Sequence, residues 1–175
     1  MKAETSHPHG AWQHTQPHAP PTHFLHPGDV ALALEGERLE TLLGSCVAVI
    51  LTDPRRTVGA MCHIVHSCQP PAGAHQDTTY ASNAMNAMFA RLRAVGIEPR
   101  LCQAYVFGGG NMFPDVFSTH HVGSGNVAWV LDFLQRSGIK VMDQSVGDPC
   151  YPKIGWTVGA PSLDLESIDA THDKQ

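Results

Sequence analysis

Two side chains in this sequence, a thiol and an imidazole, stand at a spacing where one could activate the other. Cys46 follows Leu43-Gly44-Ser45 and opens the apolar run CVAVILT. His63 closes the run TVGAMCH seventeen residues further on, with Asp53-Pro54-Arg55-Arg56 between them. Asp at the first and Pro at the second position suit a type I turn. If the two runs are arms of an antiparallel hairpin centred between Pro54 and Arg55, Cys46 faces His63. Directly opposed residues share a face, with Cβ atoms about 4.5–5.5 Å apart. An imidazole at that range takes the thiol proton or pairs with the thiolate, and so makes a nucleophile of a group mostly protonated at neutral pH. The inference hangs on register, because a bulge of one residue sends His63 to the other face. On spacing alone, a Cys and a His on one hairpin also describe two core residues.

The surroundings of the pair carry further candidates. Leu43-Gly44-Ser45 supplies a flexible backbone that can aim the amides near Ser45 and Cys46 at a developing oxyanion. Alternation along the strand puts Cys62 on the face away from His63, as a small buried hydrophobe. The loop FGGGNMF, residues 107–113, lacks a Lys after its glycines and is a poor phosphate cradle. It reads either as a tight turn beside the site or as a plain strand exit. Ser45, Gly109 and Asn111 are thus the candidates for oxyanion or substrate binding. A metal centre is not expected: Cys62, His63, His66 and Cys68 crowd one segment, but their C-H-x-x-H-x-C order departs from zinc spacings, and neighbours on a strand diverge.

The elements that must position these groups follow from the pattern. Residues 1–26, with His7, His9, His14, His18, His23 and His26 among Pro, Gln and Ala, have too few aliphatic side chains to offset ordering entropy and are expected to be a disordered tail. Order is expected from Val30–Leu34, a short strand, followed by a turn at EGERLE and then the hairpin. After a Pro/Gly-rich loop, Ala81, Met85, Met88, Phe89, Leu92 and Val95 recur at helical intervals, and Gly96 stops the helix. The strand RLCQAYVF leads into the glycine loop. A second helix, GNVAWVLDFLQRSGI, carries Val127, Val130, Leu131 and Leu134 on one face, stops at Gly138 and precedes the strand KVMDQSV. Helices alternating with strands predict an α/β domain over residues 27–162, layered helices on a largely mixed sheet. Residues 163–175 are expected to be a loose acidic tail.

Composition narrows the function classes. The chain has 175 residues, enough for one domain, and 42% apolar content supports a real core. Eleven basic against sixteen acidic residues, a formal charge of -5 and no basic run leave no footprint for nucleic acid or an anionic membrane surface. No apolar run approaches a spanning segment and no signal core opens the chain, so membrane insertion is not expected and the expected location is cytoplasmic. Five unevenly spaced cysteines fit reduced thiols.

TLLGSCVAVILTDP, VGAMCHIV, YVFGGGNMF and VGSGNVAWVLDFLQRSGIKVMDQSVGD, in that order over roughly residues 28–160, resemble the chemoreceptor glutamine deamidase family CheD. The resemblance implies a cysteine-hydrolase fold like that of the deamidating necrotizing toxins. It implies conversion of selected glutamines on methyl-accepting chemotaxis receptors to glutamate, with Cys46 as nucleophile, His63 as its histidine and no cofactor. The family's third member, a Thr shortly before the cysteine, falls on Thr41. Some members place it one residue earlier, where this chain has Glu40, and on a regular strand the two positions face opposite ways. Either a local bulge brings Thr41 to the histidine or another group orients it. A CheC-type phosphatase is a further partner the resemblance implies. A non-catalytic adaptor, and a cysteine protease or transglutaminase, are the competing functions.

Overall fold

The computed structural model describes residues 19–112, 121–148 and 151–168. Nine strands and two α-helices alternate along them: β1 Thr22–Leu25, β2 Val30–Leu34, β3 Arg38–Leu42, β4 Val47–Thr52, β5 Val58–Ile64, α1 Ala81–Ala94, β6 Gln103–Gly108, α2 Val122–Arg136, β7 Lys140–Val146, β8 Tyr151–Thr157 and β9 Asp164–Ile168. They build an α/β architecture with two mixed sheets rather than the single sheet expected. One sheet has the order β2-β5-β4-β6-β7 and the other β1-β3-β8-β9.

Three layers result. Both helices cover one face of the five-stranded sheet, where Met85, Met88, Leu92, Val130 and Leu134 meet Val47, Val49, Leu51, Ala60, Cys62 and Ile64. The opposite face carries Ala48, Ile50, Met61 and Phe107 and packs on Leu25, Leu39, Ile154 and Trp156 of the smaller sheet. With both faces covered, β4 and β5 are buried along their whole length, which is why their sequences run apolar instead of alternating.

The smaller sheet accounts for the segments whose order was not anticipated. Thr22–Leu25 is a strand, not tail: it pairs in parallel with β3, and Leu25 is 2% exposed. The turn at EGERLE is shorter than expected, since Arg38 already opens β3. Tyr151–Thr157 pairs with β3, and Asp164–Ile168, placed in the loose acidic tail, pairs with β8. The described strands thus run from Thr22 to Ile168. Residues 1–18, which hold four of the tail histidines, and 169–175 lie outside the described residues.

The helices end where expected, with Gly96 and Gly138 at positive φ. Their buried stripes differ in detail. Val95 is 46% exposed, and the centre of the α2 stripe is Gly123, Asn126, Val130 and Leu134, with Val127 and Leu131 only half-buried. The start of α2 is also three residues earlier than the GNV motif suggested, because His121 and Ser124 form a reciprocal cap. Among the described residues no helix is long and apolar enough to cross a membrane.

Candidate active site

The site is assembled on the hairpin β4–β5, and its register corrects the expected one. A turn closes at Asp53–Arg56, with the Arg56 amide donating to the Asp53 carbonyl at 2.8 Å. Arg56 then takes a left-handed φ of 58°, and Thr57 also stays in the loop. The Asp53 carboxylate accepts from the amides of Thr57 (2.8 Å), Val58 (2.9 Å) and Arg55 (3.2 Å) and from the Thr57 hydroxyl. These bonds stabilise a loop longer than a simple four-residue turn. Thr52 pairs with Gly59, and Ala48, not Cys46, lies opposite His63.

The shift is by two residues, an even number, so the two groups stay on the same face. Cys46, one step before β4, becomes the diagonal neighbour of His63, a relation that spans roughly 7–8 Å in a regular antiparallel pair. The half-buried thiol packs against the cluster between the sheets. Cys62 points the other way, into the helix layer near Met85, and burial pushes its pKa up to about 12. It is an inert core thiol, as expected.

His63 is buried, 2% exposed, and is oriented from the opposite sheet. Thr41 Oγ1 lies 2.8 Å from His63 Nδ1 and donates to the Leu25 carbonyl, also at 2.8 Å. A hydroxyl has a single hydrogen. With that hydrogen given to Leu25, Thr41 must accept from Nδ1–H, and the imidazole lone pair is left on Nε2. Among the described residues, Nε2 is buried with no hydrogen-bond partner. No bulge is needed to achieve this: β3 keeps regular register with β1 and β8. Glu40 faces outward to Arg38 (2.7 Å) and Lys153 (3.6 Å), so it is Thr41 that turns inward.

Electrostatics set the resting protonation state. Burial lowers the His63 pKa, and the Leu25 carbonyl and Asp29 only partly offset it. Burial also raises the Cys46 pKa. Both groups therefore rest neutral near pH 7: a thiol, and an imidazole whose Nε2 is basic.

The glycine loop closes the site from behind. Gly109 N donates to the Cys46 carbonyl and Gly110 N to the Gly44 carbonyl, each at 2.8 Å. Gly108 and Gly109 have φ of +98° and +67°. A Cβ on Gly108 would collide with the Cys46 carbonyl, and one on Gly109 with Val127. The segment is thus neither a phosphate cradle nor a plain strand exit but a brace against the residues around Cys46. The Gly109 amide is already spent on Cys46, which leaves this residue a shaping role; Ser45 and Asn111 are half-buried beside it.

One site residue escaped the sequence reading. Asn126, 1% exposed on α2, donates Nδ2 to the carbonyls of Val65 (2.9 Å) and Ser45 (3.3 Å). The available signal was an amide inside an otherwise apolar helical stripe. Among the described residues no group of His, Cys, Asp and Glu could hold a metal ion.

The family model CheD, described as CheD chemotactic sensory transduction, matches residues 66–159. The chain is 37% identical over 130 residues to a protein of Albidiferax ferrireducens named "Probable chemoreceptor glutamine deamidase CheD 2", covering 70% of this chain and 73% of the relative. It is 35% identical over 134 residues to a protein of Pseudomonas fluorescens of corresponding name, covering 75% and 76%. A solved chain, Neisseria meningitidis protein NMB0706, overlaps 75% of this chain and 65% of its own at a TM-score of 0.45 and 15% identity, too distant to carry an argument. On a family model matched over more than half of its residues and on relatives similar along most of both chains, the protein belongs to the CheD family.

Proposed function

We propose that this protein is a chemoreceptor glutamine deamidase: it hydrolyses the side-chain amide of glutamines on methyl-accepting chemotaxis receptors, with Cys46 as nucleophile, His63 as general base and acid, and Thr41 orienting His63. The names of its relatives supply the substrate class. The observation that carries the chemistry is the buried Thr41···His63 hydrogen bond, which leaves Nε2 basic on the face that Cys46 shares.

The steps use only these groups. His63 Nε2 takes the Cys46 thiol proton as Sγ bonds to the glutamine Cδ, and the carbonyl π pair moves onto oxygen. In this reading the amides of Ser45 and Cys46 serve that oxyanion, while the carbonyls of Gly44, Ser45 and Cys46 are engaged by Gly110, Asn126 and Gly109. Collapse breaks the C–N bond, and the leaving nitrogen takes the proton back from His63, giving ammonia and a thioester. Water then gives a proton to His63, attacks the thioester carbon and releases glutamate, returning the proton to sulfur. The balance is glutamine plus water to glutamate plus ammonia. No step calls for a cofactor.

As partners we propose the cytoplasmic parts of the receptors and, through the family resemblance, a CheC-type phosphatase; the place of action is the receptor array. The test is intact-mass analysis of receptor cytoplasmic fragments after incubation with wild type or Cys46→Ala. A gain of about one dalton per modified site, wild type only, is expected when an amide becomes an acid. Cleaved or crosslinked fragments would point to a protease or a transglutaminase instead, and unchanged mass would defeat the enzyme reading.

A further inference from the structure

The β4–β5 ladder stops one pair short of the nucleophile. Its last pair is Val47 with Ile64. Beyond it β5 turns away, and the amides of Val65 and His66 donate instead to the Thr79 carbonyl at 2.9 and 3.0 Å. The segment holding Cys46 and the end of the strand holding His63 thus part where their relative position matters most. A side chain from a different layer spans the gap: Asn126 Nδ2 donates to Val65 O at 2.9 Å and to Ser45 O at 3.3 Å.

The burial of this amide asks for an explanation of its own. Its Oδ1 is buried without a partner, in the middle of the stripe formed by Gly123, Val130 and Leu134. An orphaned buried acceptor is destabilising, a cost that an apolar side chain of the same shape would not incur. The residue is therefore held for its two N–H donors. What they hold is a peptide plane. In a trans peptide the C=O and the following N–H point in opposite directions, so fixing Ser45 O from one side fixes the Cys46 N–H on the other. The flanking planes are fixed in the same way by backbone donors, Gly110 N on Gly44 O and Gly109 N on Cys46 O. Of these three pins, Asn126 is the one made by a side chain and the one tied to the strand of the base.

We propose that Asn126 is a positioning residue for the reaction: by clamping the Ser45 carbonyl to the Val65 carbonyl, it aims the Cys46 amide at the oxyanion. This rests on the reading of Cys46 as the nucleophile, and it assigns Asn126 a role in the rate of acyl transfer rather than in substrate affinity. An oxyanion donor is worth about 10²–10³ in kcat, so a donor left in place but poorly aimed should forfeit roughly 10–10²-fold.

Two variants test it. Asn126→Leu removes both donors at similar volume, and Asn126→Asp keeps the shape but turns a second acceptor toward the carbonyls. Each is assayed for ammonia release from receptor fragments and for turnover of p-nitrophenyl acetate, which needs the thiol, base and oxyanion donors but no receptor. Each is also assayed for alkylation of Cys46 by iodoacetamide, which forms no oxyanion. The expected result is a fall in kcat of about 10–10²-fold per alkylatable molecule in both variants, with KM and the alkylation rate within about 3-fold of wild type. Unchanged kcat in either variant overturns the proposal. So does an alkylation rate that falls in parallel with kcat, or failure of both variants to fold, since each makes Asn126 a core residue only. If wild type turns over the ester but releases no ammonia, the receptor reading fails and the ester arm alone decides the role of Asn126.

Discussion

Replacing Thr41 by valine removes one oxygen and nearly preserves volume, so it isolates the hydroxyl that orients His63. Two hydrogen bonds of 2.8 Å disappear, leaving the Leu25 carbonyl and His63 Nδ1 without that partner in a fully buried setting. Each buried group left unpaired costs about 1–3 kcal/mol. With two such groups affected, the expected stability loss is about 2–6 kcal/mol. The effect on rate has a different origin. Without Thr41 to accept its proton, Nδ1–H loses a preference of about 1.4–3 kcal/mol, and the tautomer with hydrogen on Nε2 gains population where a lone pair is needed. That predicts a loss of about 10–10²-fold in kcat/KM per folded molecule. Thr41→Ser keeps the hydroxyl and should remain within about 5-fold of wild type. Ammonia release from receptor fragments measures the rates, and 15N chemical shifts of labelled histidine report which ring nitrogen is protonated. Unchanged kcat/KM in Thr41→Val, or a wild-type His63 protonated on Nε2 alone, would refute the reasoning.

Four other outcomes follow from the same geometry. Because burial lowers the His63 pKa and catalysis needs the neutral imidazole, the acid limb of kcat/KM should fall below pH 6.5, the ordinary histidine value. The same shift makes His63 contribute stability that is full above that ordinary value and is lost as pH falls through the depressed one, which urea melts across the window would detect. Asp53→Ala removes the acceptor of three amides and a hydroxyl at the hairpin loop and should cost about 2–4 kcal/mol, read as a lower urea midpoint at constant m. Gly109→Ala puts a methyl against Val127 and a non-glycine residue at φ +67°, a backbone cost of about 1–2 kcal/mol, and should lower kcat more than it lowers the melting temperature.

The parts of this site that could be read from the sequence are those fixed by local alternation and turn chemistry. Asp53-Pro54 marked the turn, and the period of two along each strand kept Cys46 and His63 on one face even though the loop was longer than expected; an odd shift would have separated them. The two helices and their glycine stops followed from periodicity. What stayed hidden depends on contacts distant in sequence. Thr41 reaches His63 because β3 belongs to a second sheet, completed by β8 and by strands β1 and β9 in segments taken for tails. The short strand Thr22–Leu25 has too little apolar content to announce itself; its burial comes from the sheet it joins. The alternation of Ile154, Trp156 and Val158 in and after β8 is a local trace of that second sheet. Asn126 could not be assigned to two carbonyls without knowing which loop its helix faces.

The most direct test is to look for the covalent intermediate. Mixing the enzyme with a receptor fragment bearing a reactive glutamine, quenching with acid within the first turnover and mapping the digest should find Cys46 carrying the fragment's mass less one ammonia. The adduct should be absent in Cys46→Ala and greatly reduced in His63→Ala. Ammonia release without any such adduct, or an adduct on a different cysteine, would contradict a thioester formed on Cys46 with His63 as its base.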